Sequence, residues 1–514
     1  MHRKRSLLRM NERRPLRSLS ALASDPSTPY LSESLSLFLS SLMPTTSATP
    51  NPPAHPHADA VLSAVAEGMP GTVEDLKSLV KIPGVSAPGY PDAPLMESAK
   101  QVADKLTAAG LLDVEVLTHG QAPPFVVGAW RGAPDAPTVL VYGHHDVQPP
   151  GNPERWDSPP WQPEERDGRL YGRGVVDDKA GIMAHVAAVR AWLAATGSLP
   201  VNLVFIIEGE EEVGSPHLAE FLAAHSERLA ADVLILTDTC NLDTGIPALT
   251  VSLRGLVMAD VTVSVLNGPL HSGIWGGALP DPVQALAKIL ARLSDDAGRC
   301  AIPGIAIDTP PRSDLANLPF NDNKYREQGG VLDGVPLLTE GGAATYHATW
   351  DAPTVAVSAI DCVPLAESSN QILPLARARV GVRLAPDQDP QTCLTALTTY
   401  LAADTPWGCR VEISPDTAAG GWRTDPQGPL FDAAARALSA GYDYPVAHIG
   451  CGGSIPFVEP FARAMGNIPA LLLGVEDPPC RAHGENESLS LSDFTKACRA
   501  AALLYGEIAA AHTR

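Results

Sequence analysis

Four apolar, strand-like runs in this sequence end on residues that ionise or bind metals. TVLVYG is followed by His144, His145 and Asp146; VNLVFIIE runs into Glu210, Glu211 and Glu212; DVLILT ends on Asp238; and IPALLLGV leads within a few residues to His483. A further acidic pair, Asp177 and Asp178, stands in GRGVVDDKAG just ahead of a helical stretch. Each cluster has an ordinary reading when taken alone: a glutamate run is a solvated turn, an Asp pair before a helix caps it, and a single histidine is structural. Together they gather His, Asp and Glu at the carboxyl ends of strands, where open α/β sheets collect their chemistry. Converging without compensating basic residues, such a concentration of acid needs a cation.

The donor types narrow the choice of cation. Imidazole and carboxylate without thiolate suit zinc, manganese or cobalt, and histidine argues against a calcium or magnesium cage. Three ligating carboxylates and a hydroxide carry four negative charges, which two divalent ions neutralise. One glutamate of the EEE run then binds metal and its neighbour activates the bound water. In extended chain adjacent residues point to opposite sides, so Glu211 and Glu212 can take different roles. Other chemistries fit poorly. GRGVVD starts like a dinucleotide loop, yet Asp177 occupies the third glycine position and would repel a pyrophosphate. Ser454 in CGGSIP is not in a G-x-S-x-G elbow. Neither a G-x-x-x-x-G-K-[ST] phosphate loop nor H-E-x-x-H occurs.

The elements that must position these groups follow from hydrophobic period. VLSAVAEGMPGTVEDLKSLVKI, LMESAKQVADKLTAAG and AGIMAHVAAVRAWLAAT read as helices, TVLVYG, VNLVFIIE and DVLILTD as buried strands, and the alternation predicts an α/β domain with a mostly parallel sheet flanked by helices. After SLRG the pattern changes. VMADVTVSV, TVAVSAI and RARVGVRLAP alternate like half-exposed strands around the helical DPVQALAKILARL, as in a smaller α+β domain. Helix and buried strand return in GPLFDAAARALSAGY, IPALLLGV and LSDFTKACRAAALLYGEIAAA. The expected organisation is a disordered basic tail and Pro-rich linker over 1–58, catalytic domain over 59–256, an inserted domain over 257–417 and the rest of the catalytic domain over 418–514. The opening Arg/Ser-rich stretch has some character of a transit peptide or twin-arginine signal, but the apolar part after Arg13 and Arg14 is short and interrupted by Arg17. His55 and His57, in the linker, read as solvated.

Composition limits the partners. The chain has 514 residues, 45% apolar, and a formal charge of −21, which argues against nucleic acid or an anionic membrane and for a small substrate or a metal cation. No stretch approaches the roughly 18 apolar residues needed to span a membrane. The eight cysteines are scattered with no C-x-x-C, so neither a disulfide framework nor a thiolate zinc site is expected, and a reducing cytoplasm is the simplest compartment.

YGHHDVQPP, WDSPPWQPEERDGRLYGRGVVDDKAG, EGEEEVGS, LTD, LHSGIWGG, GGSIP and AHGENESL occur in an order and at spacings that resemble the carnosinase, carboxypeptidase G and acetylornithine deacetylase superfamily of dinuclear metallopeptidases, nearest its cytosolic non-specific dipeptidase and carnosinase branch. The resemblance covers nearly everything from residue 60 onward. It implies a homodimer whose subunits each carry a catalytic α/β domain, an inserted lid that makes the dimer interface, and two divalent metal ions, zinc first, with manganese or cobalt acceptable to the same donors. Asp177 would bridge the ions, His144 and Asp238 would complete one shell, and Glu212 and His483 the other. Asp146 matches the acid that orients the metal histidine. Glu211 matches the general base that deprotonates a metal-bridging water and returns the proton to the leaving amine. His271 matches the lid histidine that reaches across the dimer to the tetrahedral oxyanion. Asn370, Gly453 and Ser454 match positions that contact substrate.

The departures from the pattern fall on substrate recognition. The W-x-x-P stretch of the lid, which carries an arginine in this branch, reads TWDAP with Asp351 and Ala352, and REGGSIP reads GCGGSIP, so Gly450 and Cys451 replace a charged pair. Arg383 in VGVRLAP is the best remaining clamp for a substrate carboxylate, with Arg423 and Arg481 as further candidates. The expected activity is dipeptide hydrolysis. The alternatives are an N-acyl- or N-carbamoyl-amino-acid amidohydrolase on the same scaffold, which the missing arginines favour, and a metal-bearing binding protein without catalysis, which the complete ligand set and Glu211 oppose.

Overall fold

Residues 55–453, 458, 461, 466 and 468–512 are described by a computed structural model; the expected tail up to residue 54, and Ser454, lie outside the described residues. TVLVYGH forms the strand Thr138–His144, almost wholly buried. It pairs in parallel with Asn202–Glu208 on one side and Val233–Cys240 on the other, and Ala470–Glu476 extends the parallel set beyond Val233–Cys240. These strands read as continuous apolar runs because both their faces are covered. One face packs on the long helices Ala58–Val80, Lys179–Thr196 and Leu491–His512. The other packs on Leu218, Phe221 and Leu222 of the short helix Leu218–Ala224. His55, read from sequence as solvated, is half-buried edge-on against Trp192, with ring centroids 4.8 Å apart.

Toward its flanks the sheet turns antiparallel. Phe125–Trp130 and Leu112–Leu117 add on one side, Ala248–Leu253 and Trp422–Arg423 on the other, while Ala447–Cys451 pairs in parallel with Ala248–Leu253. The result is a nine-stranded mixed sheet. Its parallel centre carries the clusters singled out above, and the antiparallel flanks need no crossover helix.

The chain leaves this sheet after Leu253 and rejoins it at Trp422. In between, Gly255–Ser264, Thr354–Asp361, Leu375–Leu384 and Arg410–Ala419 form a four-stranded antiparallel sheet. Helices Pro282–Leu290 and Pro390–Ala402 pack against it through a second hydrophobic core that includes Val257, Leu286, Val380 and Leu397. Gly255–Ser264 alternates buried and half-buried residues as its period predicts. Thr354–Asp361 does not: it is one of the two edge strands, and its last six residues are exposed whichever face they point to.

Candidate active site

Parallel pairing sets the first part of the site. His144 stands opposite Glu208 in register, and Asp238 lies two residues beyond Leu236, the partner of Tyr142, so three neighbouring strands deliver polar groups at one edge of the sheet. The His144 ring is fixed at both nitrogens. Nδ1 donates to the Asp146 carbonyl at 3.1 Å and lies 3.3 Å from Asp146 Oδ1, which leaves Nε2 facing Asp177 Oδ1 at 3.0 Å and Asp238 Oδ2 at 3.7 Å. An imidazole whose far N–H is held by a carboxylate has the tautomer and orientation of a metal ligand.

Asp177 is the shared member. Its second oxygen, Oδ2, lies 2.9 Å from His483 Nε2, and that nitrogen lies 3.3 Å from Glu212 Oε2. Two candidate ligand groups result, His144–Asp177–Asp238 and Asp177–Glu212–His483, each with donor atoms within 4.8 Å of one another. The structure therefore gathers all five residues that the sequence singled out as ligands, with Asp177 common to both groups.

Asp146 does more than hold the histidine. Its Oδ2 accepts from the Glu212 N–H at 3.1 Å and from Ser86 Oγ at 2.6 Å, and its Oδ1 lies 3.3 Å from the Glu211 N–H. Those two glutamates occupy a 3₁₀ turn over Glu211–Val213. The extended chain expected at this point is replaced by a tight turn, because the strand ends at Glu208 and Asp146 captures the next free amides. The carboxylates of this stretch then separate by partner. Glu208 is buried against Tyr142 Oη and Ser215 Oγ, Glu210 accepts from the His217 backbone and ring, and Glu212 is clamped by Gln148, whose N–H and side-chain amide donate to its two oxygens at 3.0 and 2.8 Å.

The electrostatics are those of a site that wants cations. Burial, reinforced by Asp238, Glu212 and Asp177 and opposed by His144, pushes the Glu211 carboxyl well above the usual range. Burial and then Asp177 raise Glu212, and burial raises Asp238 to about 6. Hydrogen bonds to Asp177 and Glu212 lift His483 to about 11. His144 is also held well above its usual value, burial opposing and Asp146 and Asp177 prevailing. Two imidazoles raised in this way mark an excess of negative charge of the kind a cation neutralises. The donor set of imidazole and carboxylate, crowded and without thiolate, fits two divalent ions sharing Asp177.

The remaining sequence-singled residues lie elsewhere. His271 is exposed, at the start of a short helical turn, and its Nδ1 accepts from the Gly273 N–H at 3.1 Å. It pairs with Gln371 in a two-stranded ribbon beside Asn370, whose carbonyl accepts from the Ser272 N–H. Among the described residues no hydrogen bond or ion pair joins either of them to the acids. Arg383 is half-buried and, with burial, depresses the neighbouring Arg254 guanidinium to about 10. Gly453 follows directly on that region, its N–H 3.3 Å from Cys451 Sγ. Arg423 is committed to Asp351 and Asp387 at 3.1 and 2.9 Å, and Asp351 also faces Arg312. The unusual Asp351 is thus an anchor for two arginines. Arg481 is exposed, two residues before His483, in left-handed backbone at φ 56°.

Several site-supporting residues escaped the sequence reading. Arg254, in the SLRG stretch, holds Gly452 O, Ala348 O, Ala352 O and Thr354 Oγ1 together. Arg173 and Glu487 tie the loop of Asp177 to that of His483. Asp178, by contrast, is singled out in the sequence with a helix cap as its ordinary reading; it stands at the N-cap position of Lys179–Thr196 without capping it, and its Oδ2 accepts from the His144 N–H at 3.3 Å. A Cβ at Gly143 would come within 2.7 Å of that oxygen, so glycine there is what admits the carboxylate.

Residues 140–506 match the sequence pattern of peptidase family M20/M25/M40, well over half of the chain. The protein belongs to that family. Among its relatives, a cysteinylglycine-S-conjugate dipeptidase of Corynebacterium striatum is 33% identical over 416 residues, covering 80% of this chain and 90% of that protein. The Cys-Gly metallodipeptidase DUG1 of Saccharomyces cerevisiae is 28% identical over 443 residues, covering 82% and 91%. Human carnosine dipeptidase 1 superposes with a TM-score of 0.78 at 25% identity, over 89% of this M20 chain and all of that one. Among the described residues no helix is long and apolar enough to cross a membrane.

Proposed function

We propose that this protein is a dipeptidase that hydrolyses the amide bond of small unblocked peptides with two divalent metal ions. The observation that carries the reading is Asp177, whose two oxygens face His144 and His483 at 3.0 and 2.9 Å. His144 and Asp238 would hold one ion, Glu212 and His483 the other, with zinc the first choice for donors of this type. When bound, such ions would supply Lewis acidity for the peptide carbonyl and the attacking water. Glu211, a half-buried acid whose carboxylate has no clamp among the described residues like those of Glu208, Glu210 and Glu212, takes the proton of that water on its carboxylate and passes it to the leaving amine nitrogen. Asp146 positions both His144 and the Glu211–Glu212 turn, so ligand and base keep a fixed mutual geometry.

The reading extends to the assembly. Residues 257–417 form the lid and dimerisation domain, inserted between residues 59–256 and 418–514 of the catalytic domain. The exposed edge strand Thr354–Asp361, with Val357 and Ile360 among its exposed apolar residues, supports contact between two such domains. So does the exposure of His271, which in a homodimer would serve the partner's site as donor to the oxyanion. Arg383 is the clamp for the substrate carboxylate, with Asn370, Gly453 and Ser454 lining its path. All eight cysteines are free thiols, in keeping with a reducing cytoplasm.

The relatives named above are dipeptidases, which favours free dipeptides over N-acyl or N-carbamoyl amino acids. Turnover of both classes by protein reconstituted with zinc or manganese tests this. Cleavage of unblocked dipeptides supports the proposal; activity confined to acylated or carbamoylated amino acids replaces it with the amidohydrolase reading.

A further inference from the structure

A half-open pocket of about 390 Å³ lies against the strand end that carries Asp238. Cys240, two residues beyond Asp238, and Cys451, at the end of the Ala447–Cys451 strand, form one side of it. The Cys240 thiol lies 3.3 Å from Glu476 Oε2, and Glu476 is within electrostatic range of both Asp177 and Asp238. Cys240 thus joins the pocket lining to Glu476 and, through it, to the acids at the strand ends.

The other side is aromatic. Trp350 and Tyr346 stack with centroids 4.3 Å apart, Phe320 stands edge-on to Tyr346 at 5.4 Å, and Tyr325 leans on Phe320. The charged residues of the lining, Asp243 and Lys324, pair with each other, so the surface offered is aromatic, thiol and uncharged. Gly450 makes this wall possible. A Cβ there would come within 2.5 Å of Trp350 Cβ, so an arginine at 450 would collide with the ring that closes the pocket. Two departures from the family pattern, Gly450 and Cys451, therefore have one consequence: a charged surface gives way to an apolar recess next to the strand end that carries Asp238.

We propose that this pocket receives one large apolar or aromatic side chain of the dipeptide, and that the enzyme selects substrates by bulk at that residue. The inference rests on the dipeptidase reading. Aromatic-lined recesses of this size are the usual form of a small-ligand site, and one side chain more or less filling an apolar pocket changes kcat/KM by roughly tenfold or more.

The test compares kcat/KM for Gly-Gly, Ala-Gly, Leu-Gly, Phe-Gly, Gly-Leu and Gly-Phe in the metal-loaded wild type, Gln328→Trp, which fills the pocket, and Tyr325→Ala, which removes part of its aromatic wall. Calorimetric binding of the uncleavable reduced-amide analogues of Phe-Gly, Gly-Phe and Gly-Gly is measured alongside. The expected result is at least tenfold preference for a bulky side chain at one position, and a loss of about tenfold in the bulky-to-small ratio in each variant. Equal use of bulky and small dipeptides, or variants that slow both alike, overturns the pocket assignment and leaves the dipeptidase reading standing. If no dipeptide is cleaved, the dipeptidase reading fails and binding decides the pocket: about tenfold weaker binding of the bulky analogue in Gln328→Trp upholds it, and unchanged binding overturns it.

Discussion

Arg173 and Glu487 form an ion pair of 2.7 Å with both side chains about 1% exposed, and between them they span the metal centre. Glu487 accepts from the Gly174 and Val176 N–H groups just before Asp177, while Arg173 donates to the His483 and Gly484 carbonyls. Removing one partner of a buried pair strands the other's charge. Arg173→Met and Glu487→Gln are each expected to lose about 3 kcal/mol or more in urea unfolding of the metal-free protein. The double variant should lose clearly less than the sum; strict additivity would mean that the pair does not act as a unit.

Among the described residues Gln148 bonds to the site through Glu212. Its side-chain amide donates to Oε2 of that carboxylate and to the Glu212 carbonyl, so Gln148→Ala, which keeps only the backbone N–H bond to Oε1, should weaken metal binding by about 10-fold with little change in fold. Chelator competition at fixed pH reads the affinity, and circular dichroism checks the fold.

His185 gives the structure an acid sensitivity away from the substrate. Its ring joins Tyr505 Oη and Thr237 Oγ1, both at 2.8 Å, and burial lowers it to about 3. The unfolded chain, with an ordinary histidine, therefore binds the proton first as pH falls, so the stability of the neutral form is present above about 6.5 and is lost progressively below it. Between pH 7 and 5 the wild type should lose about 2 kcal/mol attributable to this group, and His185→Gln should lack that component. Parallel denaturation curves for the two proteins across that range would contradict the assignment.

If His271 works across a dimer, two inactive proteins can repair each other. Glu211→Gln and His271→Ala homodimers should each be strongly impaired. Mixed under conditions that exchange subunits, they should recover up to about a quarter of wild-type turnover, since half the dimers then hold one intact site. No recovery from subunits shown to have exchanged would place His271 outside the partner's site.

Much of this site was legible in the sequence because buried parallel strands announce themselves as apolar runs, and the residues just past them have one plausible place to be. His144, Asp238 and His483 were found that way. The supporting contacts were not legible, because they are long-range: Arg173 and Glu487 are 314 positions apart, and nothing local distinguishes them from surface charges. The flanking strand Leu112–Leu117 was missed although LDVEVL alternates apolar and charged residues, because it is short, none of its residues is buried, and it lacks the continuous apolar run of the central strands. The turn at Glu211–Glu212 was mistaken for extended chain since its cause, the Asp146 carboxylate, lies 65 residues away.

Proposed as the general base, Glu211 moves the proton in a reaction carried by metal ions it does not itself hold. Metal content and dipeptide turnover of Glu211→Gln, measured beside the wild type, decide this. Both proteins should carry two metal ions per subunit, and the variant should lose at least about 100-fold in turnover. Turnover that survives the substitution, or metal that departs with the carboxylate, would contradict it.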